Sequence, residues 1–137
     1  QGKIIYLGIL SYTEMPGVIA ASLAGLSPKN SAGGRARTGL YPLKVFETLA
    51  CGVPVIVTDF PGQGDLVRKG RCGLIIPPED SKALAEAVAY LYCHPQERHT
   101  MGERGRQLIE KHHSWSQRSA DVDRVLREVH QTLETRK

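Results

Sequence analysis

Cysteine is scarce in this sequence and poorly placed for chemistry. Its three residues, Cys51, Cys72 and Cys93, are odd in number, far apart and never in a CxxC pair. That spacing argues against a disulfide framework or a zinc site and for small buried thiols. Long apolar runs are lacking too. No stretch approaches the roughly 20 consecutive apolar residues of a membrane span, and Gln1-Gly2-Lys3-Ile4-Ile5 does not have the pattern of a secretory signal. The expectation is a soluble, cytoplasmic chain. Repeats and low-complexity tracts are absent, and 137 residues with 41% hydrophobic side chains suffice for the core of one ordinary domain. The most informative absence is local: no acidic residue occurs between Glu14 and Glu47, while Lys29, Arg35, Arg37 and Lys44 all fall in that interval. Such a stretch attracts anions or is a solvated basic loop. The net charge of +4 is too modest to suggest a nucleic-acid partner.

What is present reads as alternating strands and helices. Residues 3–10 (KIIYLGIL) are rich in β-branched and aromatic side chains and are expected to form a buried strand, followed by a short helix over 13–22 capped by Thr13. Residues 23–26 are a weaker strand candidate. The polar segment 27–39 (SPKNSAGGRARTG) has no apolar periodicity and reads as a loop, and residues 27–37, which concentrate like charge around Gly33-Gly34, are expected to be mobile when no ligand is bound. Residues 42–51 predict a helix with Pro42 at its first position and Gly52 ending it. Residues 53–58 (VPVIVT) predict a central strand apolar on both faces, with Pro54 near its start. A short helix over 65–69, a strand over 72–76, and helices over 80–92, 96–112 and 117–135 complete the pattern. Short alternation of this kind means an α/β fold with a parallel sheet and helices on both faces.

Ligands of open parallel sheets bind beyond the carboxyl ends of the strands, which singles out the loops after Leu10, Leu26, Thr58 and Ile76. After Leu26 the basic loop runs through Gly39-Leu40-Tyr41-Pro42 into a helix whose first free N–H groups belong to Leu43 and Lys44. A helix N-terminus with an ammonium beside it suits a phosphate.

At this point the residues resemble a known family. The run Gly39-Leu40-Tyr41-Pro42-Leu43-Lys44-Val45-Phe46-Glu47-Thr48-Leu49-Ala50-Cys51-Gly52-Val53-Pro54-Val55-Ile56-Val57-Thr58-Asp59 is similar to the characteristic segment of family-four (group 1) retaining glycosyltransferases. The likeness continues, in family order and spacing, through Pro61-Gly62, Asp65, Gly73-Leu74-Ile75-Ile76-Pro77-Pro78, Met101-Gly102 and Ser114-Trp115-Ser116. The resemblance implies the GT-B fold, with this chain as a Rossmann-like donor-binding domain. It implies a nucleoside diphosphate sugar as substrate, needing neither cofactor nor metal, and a role in polysaccharide or glycoconjugate biosynthesis, in the cytoplasm or against the inner face of a membrane. It also implies that Glu47 accepts hydrogen bonds from the ribose hydroxyls. The Leu43 and Lys44 backbone then faces the diphosphate, in a site completed by Gly39, Tyr41, Pro42, Arg35 and Arg37, with Gly62 and Asp65 as further contacts.

One departure stands out. The family pairs two glutamates with seven residues between them, and Gly39 occupies the first position. The ribose contact keeps its carboxylate, and the donor-sugar contact loses one. No catalytic residue is assigned; the five histidines fall on the late helices, and Trp115 is read as a packing anchor. By the same comparison an N-terminal acceptor domain and the first two strands of the donor domain precede this segment. The edge of the 23–26 strand is then expected to be covered by the 3–10 strand, or by a second copy in a homodimer, and nucleotide binding is expected to be weak. A non-catalytic nucleotide-binding or interaction module of the same fold is the rival reading.

Overall fold

The computed structural model describes residues 4–31 and 39–134. Its elements, in chain order, are α1 (Met15–Ala20), β1 (Gly25–Ser27), α2 (Leu43–Ala50), β2 (Val55–Thr58), α3 (Gln63–Gly70), β3 (Gly73–Ile76), α4 (Ser81–Cys93), α5 (Pro95–His112) and α6 (Trp115–Glu134). The three strands form one parallel sheet in the order β1-β2-β3, with Leu26 opposite Ile56 and Ile56 opposite Leu74. Parallel neighbours need helical crossovers, and α2 and α3 supply them.

Side-chain alternation along β2 separates two apolar layers. Val55 and Val57 point into a core with Val45, Leu49, Leu66, Val67, Cys72 and Ile109, which places α2, α3 and α5 on that face. Ile56 points the other way and packs with Ile76, Ala87 and Leu91, which places α4 opposite. All four β2 residues are buried, as the continuous apolar run requires. The expected helices on both faces of a parallel sheet are therefore present. Burial pushes the Cys72 thiol up to about 11, as an inert core cysteine should be.

Three expectations need correction. Residues 4–10 form no strand; Ile4 and Ile9 are almost fully exposed, and Ile5, Tyr6 and Leu7 are exposed as well. β-Branched residues favour a pleated surface only where there is something to pair with and pack on, and here the segment takes neither place. Among the described residues it does not pair with β1, so the expected fourth strand is not formed. Trp115 is no packing anchor: it opens α6 and is 81% exposed. The cap of α1 is not Thr13. Glu14 stands at that position without capping through its side chain, and its carboxylate instead accepts from the Ser11 hydroxyl and N–H at 2.6 and 3.0 Å. Those bonds hold the Glu14 carboxyl below its ordinary value.

The carboxyl end of α5 carries a titratable contact. The His113 ring meets Phe46 of α2 edge-on at 5.3 Å, and the Arg118 guanidinium lies 2.8 Å from its Nδ1. Only a neutral imidazole accepts there. Burial, then the charges of Arg118, His112 and Lys69, lower the pKa of His113. A depressed folded pKa means that the contribution is intact above the unfolded value of about 6.5 and is lost as pH falls through the folded one. The midpoint of urea unfolding should therefore fall between pH 7.5 and 5.5, and fall less in His113→Phe. Equal losses in both proteins would show that His113 is not the sensitive group.

Candidate functional site

The carboxyl ends of β1, β2 and β3 lie along one edge of the sheet, where three loops leave it. The chain enters α2 there. Pro42 proves to be the cap, with φ −65° and ψ 130°, so the helix starts one residue later than the sequence suggests. Its carbonyl accepts the Val45 N–H at 3.0 Å, while the Leu43 and Lys44 N–H groups, as in any first turn, have no intrahelical acceptor. The Lys44 side chain is exposed and makes no ion pair among the described residues. Partial burial, and second the charge of Lys29, lower its pKa. Tyr41 rests against Phe46 with ring centroids 6.2 Å apart, which anchors the approach to the helix.

Gly39 and Gly62 are positioned together. Leu40 pairs with Gly62 in an isolated parallel bridge, and a Cβ on Gly62 would stand 2.7 Å from the Leu40 carbonyl oxygen. Both glycines have positive φ, +86° and +88°, which side chains disfavour. A Cβ on Gly39 would meet nothing within 4 Å, so its backbone conformation, and not lack of room, suits glycine there.

Glu47 lies one turn along α2, exposed and without an ion pair among the described residues. It lines a hollow of about 410 Å³ with Leu10, Ser11, Tyr12, Met15 and Ile19, between α2 and the chain entering α1. The loop after Leu10 thus belongs to the site. The sequence singles out that loop as one leaving a strand, although the strand itself is not formed. Asp65 is already employed: it accepts the Gly62 N–H at 3.0 Å at the start of α3 and pairs with Arg68 at 3.2 Å. Arg35 and Arg37, and most of the segment expected to be mobile, lie outside the described residues.

A polar cluster that sequence reasoning did not find underlies this edge. Gln63 is 1% exposed. Its Oε1 accepts from the Ser27 hydroxyl at 3.0 Å, and its Nε2 donates to the Ser27 carbonyl, the Thr58 carbonyl and Thr58 Oγ1 at 3.0–3.2 Å. Thr58 Oγ1 also accepts the Lys29 N–H at 2.9 Å. Lys29 and Thr58 line a second hollow of about 350 Å³ on the α4 side of the strand ends.

With this geometry in place the comparison with known proteins is decisive: the Glycosyl transferase-like family model matches residues 1–124. The chain is a group 1 glycosyltransferase domain. It is 31% identical over 113 residues, 82% of its length and 29% of the relative's, to a GDP-mannose-dependent monoacylated alpha-(1-6)-phosphatidylinositol monomannoside mannosyltransferase of Corynebacterium glutamicum. It is 28% identical over 123 residues, 90% of its length and 33% of the relative's, to an uncharacterised glycosyltransferase of Methanocaldococcus jannaschii. Among solved structures it resembles sucrose-phosphate synthase from Thermosynechococcus elongatus, with TM-score 0.63 and 28% identity over 67% of this chain and 23% of that one. The glycosyltransferase domain therefore spans about a third or less of the length of these proteins, and its fold is that of the GT-B class. Among the described residues no helix is long and apolar enough to cross a membrane.

Proposed function

We propose that this glycosyltransferase domain binds the nucleoside diphosphate part of a sugar donor, in an enzyme that transfers the sugar to an acceptor hydroxyl with retention. The observation that carries this reading is Glu47: a carboxylate with no ion pair among the described residues, on the wall of a hollow shared with Leu10 and Tyr12, one turn from a helix start with free N–H groups and Lys44. A nucleoside matches that lining, with the base against the apolar and aromatic side chains and the ribose diol donating to the paired acceptors of the carboxylate. The diphosphate then lies toward the α2 N-terminus and the Lys44 ammonium.

In such a transfer, charge builds on the departing diphosphate, and donors fixed in advance stabilise it without reorganising. The Leu43 and Lys44 N–H groups are fixed by the helix, and Tyr41 packing on Phe46 holds the approach. The acceptor would be brought by a further domain of the enzyme. Gly39 favours a second reading, a nucleotide-binding module without turnover, because the position carries no carboxylate for the donor sugar.

Calorimetric titration of the chain with UDP and GDP, for wild type and Glu47→Ala, tests the reading. One of the two should bind weakly, and the variant should bind it about tenfold less tightly, the value of one charge-assisted hydrogen bond. Equal binding by both proteins would remove Glu47 from the ribose, and no binding of either nucleotide by wild type would overturn the donor reading.

A further inference from the structure

The hollow of about 350 Å³ on the α4 side shares no residue with the one beside Glu47. Its walls come from the chain leaving β1 (Lys29, Asn30), from Thr58 at the end of β2, and from the turn between β3 and α4 (Glu79, Asp80). All three strands therefore end at it, which is where open parallel sheets take their ligands. The nucleoside diphosphate leaves it unused.

Glu79 is the unusual residue in that wall. Its φ of +62° lies in the left-handed region, which a residue with a Cβ occupies at a cost that glycine escapes. Elsewhere among the described residues positive values fall on glycines and on Arg71, which ends α3, where such a turn is an ordinary stop. Glu79 precedes a helix instead of ending one. Its carboxylate makes no hydrogen bond or ion pair among the described residues, so no local contact offsets the strain. Strain of this kind clusters at ligand clamps.

The lining selects a neutral ligand rich in hydroxyls. Lys29 is half-buried, and its N–H is held by Thr58 Oγ1 at 2.9 Å, which fixes the chain that carries the ammonium. Asp80 spends a carboxylate oxygen on the Ala83 N–H at 2.8 Å, capping α4. One cation and two carboxylates thus line the same space. A phosphate is drawn to Lys29 but repelled by Glu79 and Asp80. No group of three or more potential metal ligands occurs among the described residues. A sugar hydroxyl both donates to a carboxylate and accepts from an ammonium or an amide, so one ring can use Glu79, Lys29 and Asn30 together. Its C–H face finds the Leu84 side chain. The volume is near the small end of ligand pockets, which run from about 300 to 1,000 Å³, and suits one ring better than a nucleotide.

We propose that this hollow is a saccharide site, in which Glu79, Lys29 and Asn30 bind the hydroxyls of one pyranose ring. Two sources supply such a ring, the glycosyl group of the donor and a unit of the acceptor, and the chemistry of recognition is the same for both. Only the donor source rests on the nucleotide reading.

The test is a titration of the isotope-labelled 137-residue chain, followed by backbone amide NMR shifts. The probes are the methyl α-glycosides of mannose, glucose and galactose, then GDP-mannose and UDP-glucose, then GDP, UDP and inorganic pyrophosphate. At least one sugar should give saturable shifts at Lys29, Asn30 and Glu79, with a Kd on the order of 1–10 mM. If the donor supplies the ring, a nucleotide sugar moves these amides and its nucleotide alone moves only those around Glu47. If the acceptor does, a free glycoside moves them with nucleotide already bound. Glu79→Gly and Lys29→Met should each weaken the sugar about tenfold, the value of one charge-assisted hydrogen bond. Glu79→Gly should melt no lower than wild type, since it relieves the left-handed backbone. A Glu79→Gly protein that melts lower, or that binds the sugar as wild type does, would overturn the proposal. So would pyrophosphate moving these amides as strongly as any sugar, or no sugar moving them at all. Glycoside shifts here without binding of GDP or UDP anywhere would uphold this site and sink the donor reading.

Discussion

Gly102→Ala should cost this domain about 3 kcal/mol or more and lower its melting temperature by about 10 °C. A Cβ at that position would stand 2.0 Å from the Gly52 carbonyl oxygen and 2.9 Å from its carbon. Both are backbone atoms, in the turn that ends α2, so no side chain can rotate away. The only relief is for α5 to retreat. Retreat would open the contact of Ile109 and Leu108 with Leu49 and Cys72, and a packed core does not yield cheaply. Gly17→Ala is the control: it lies in α1 with nothing within 4 Å of the added carbon, and should be neutral or slightly stabilising. Thermal melts of the two variants beside wild type decide the matter. A Gly102→Ala protein melting within about 2 °C of wild type would mean that the helix can move freely and that this account of the α2 and α5 contact is mistaken.

Elements whose apolar pattern is satisfied within the domain were legible in the sequence. The run over 53–58 is continuous because β2 is the middle strand, and the helix expected over 80–92 is α4, whose cap at Asp80 holds the Ala83 N–H at 2.8 Å and whose Leu84, Val88 and Leu91 pack on one side of the sheet. Where the pattern needs a partner, reading fails. Residues 4–10 have strand composition without a strand, and α6 has helical spacing with no buried residue. Within the site, Lys44, Glu47, Gly39 and Gly62 could each be named. What could not be read was their company: the Leu40 and Gly62 bridge, the hollow beside Leu10 and Tyr12, and the buried Gln63 are long-range relations. A glutamine in the first turn of a helix gives no local sign of burial, since the residue type is mostly exposed.

Gly62→Ala should separate the folding of this domain from the shape of its site. Gly62 has φ +88° and ψ −81°, a conformation strained for any residue with a Cβ. The added carbon would also meet the Leu40 oxygen at 2.7 Å and its nitrogen at 3.0 Å. Together these effects should cost about 2–4 kcal/mol. The damage differs in kind from that at Gly102. The obstructing atoms belong to the chain entering α2, which can move outward without disturbing the β2 and β3 core, so part of the strain should be relieved by giving up the Leu40 bridge. The melting temperature should fall less than in Gly102→Ala. Amide exchange around Leu40 should accelerate while β2 and β3 remain protected, and binding of UDP or GDP should weaken about tenfold as the α2 approach loses its register. A protein that melts as low as Gly102→Ala, or one that keeps both the protection of Leu40 and its nucleotide affinity, would show that Gly62 does not hold the entrance to α2.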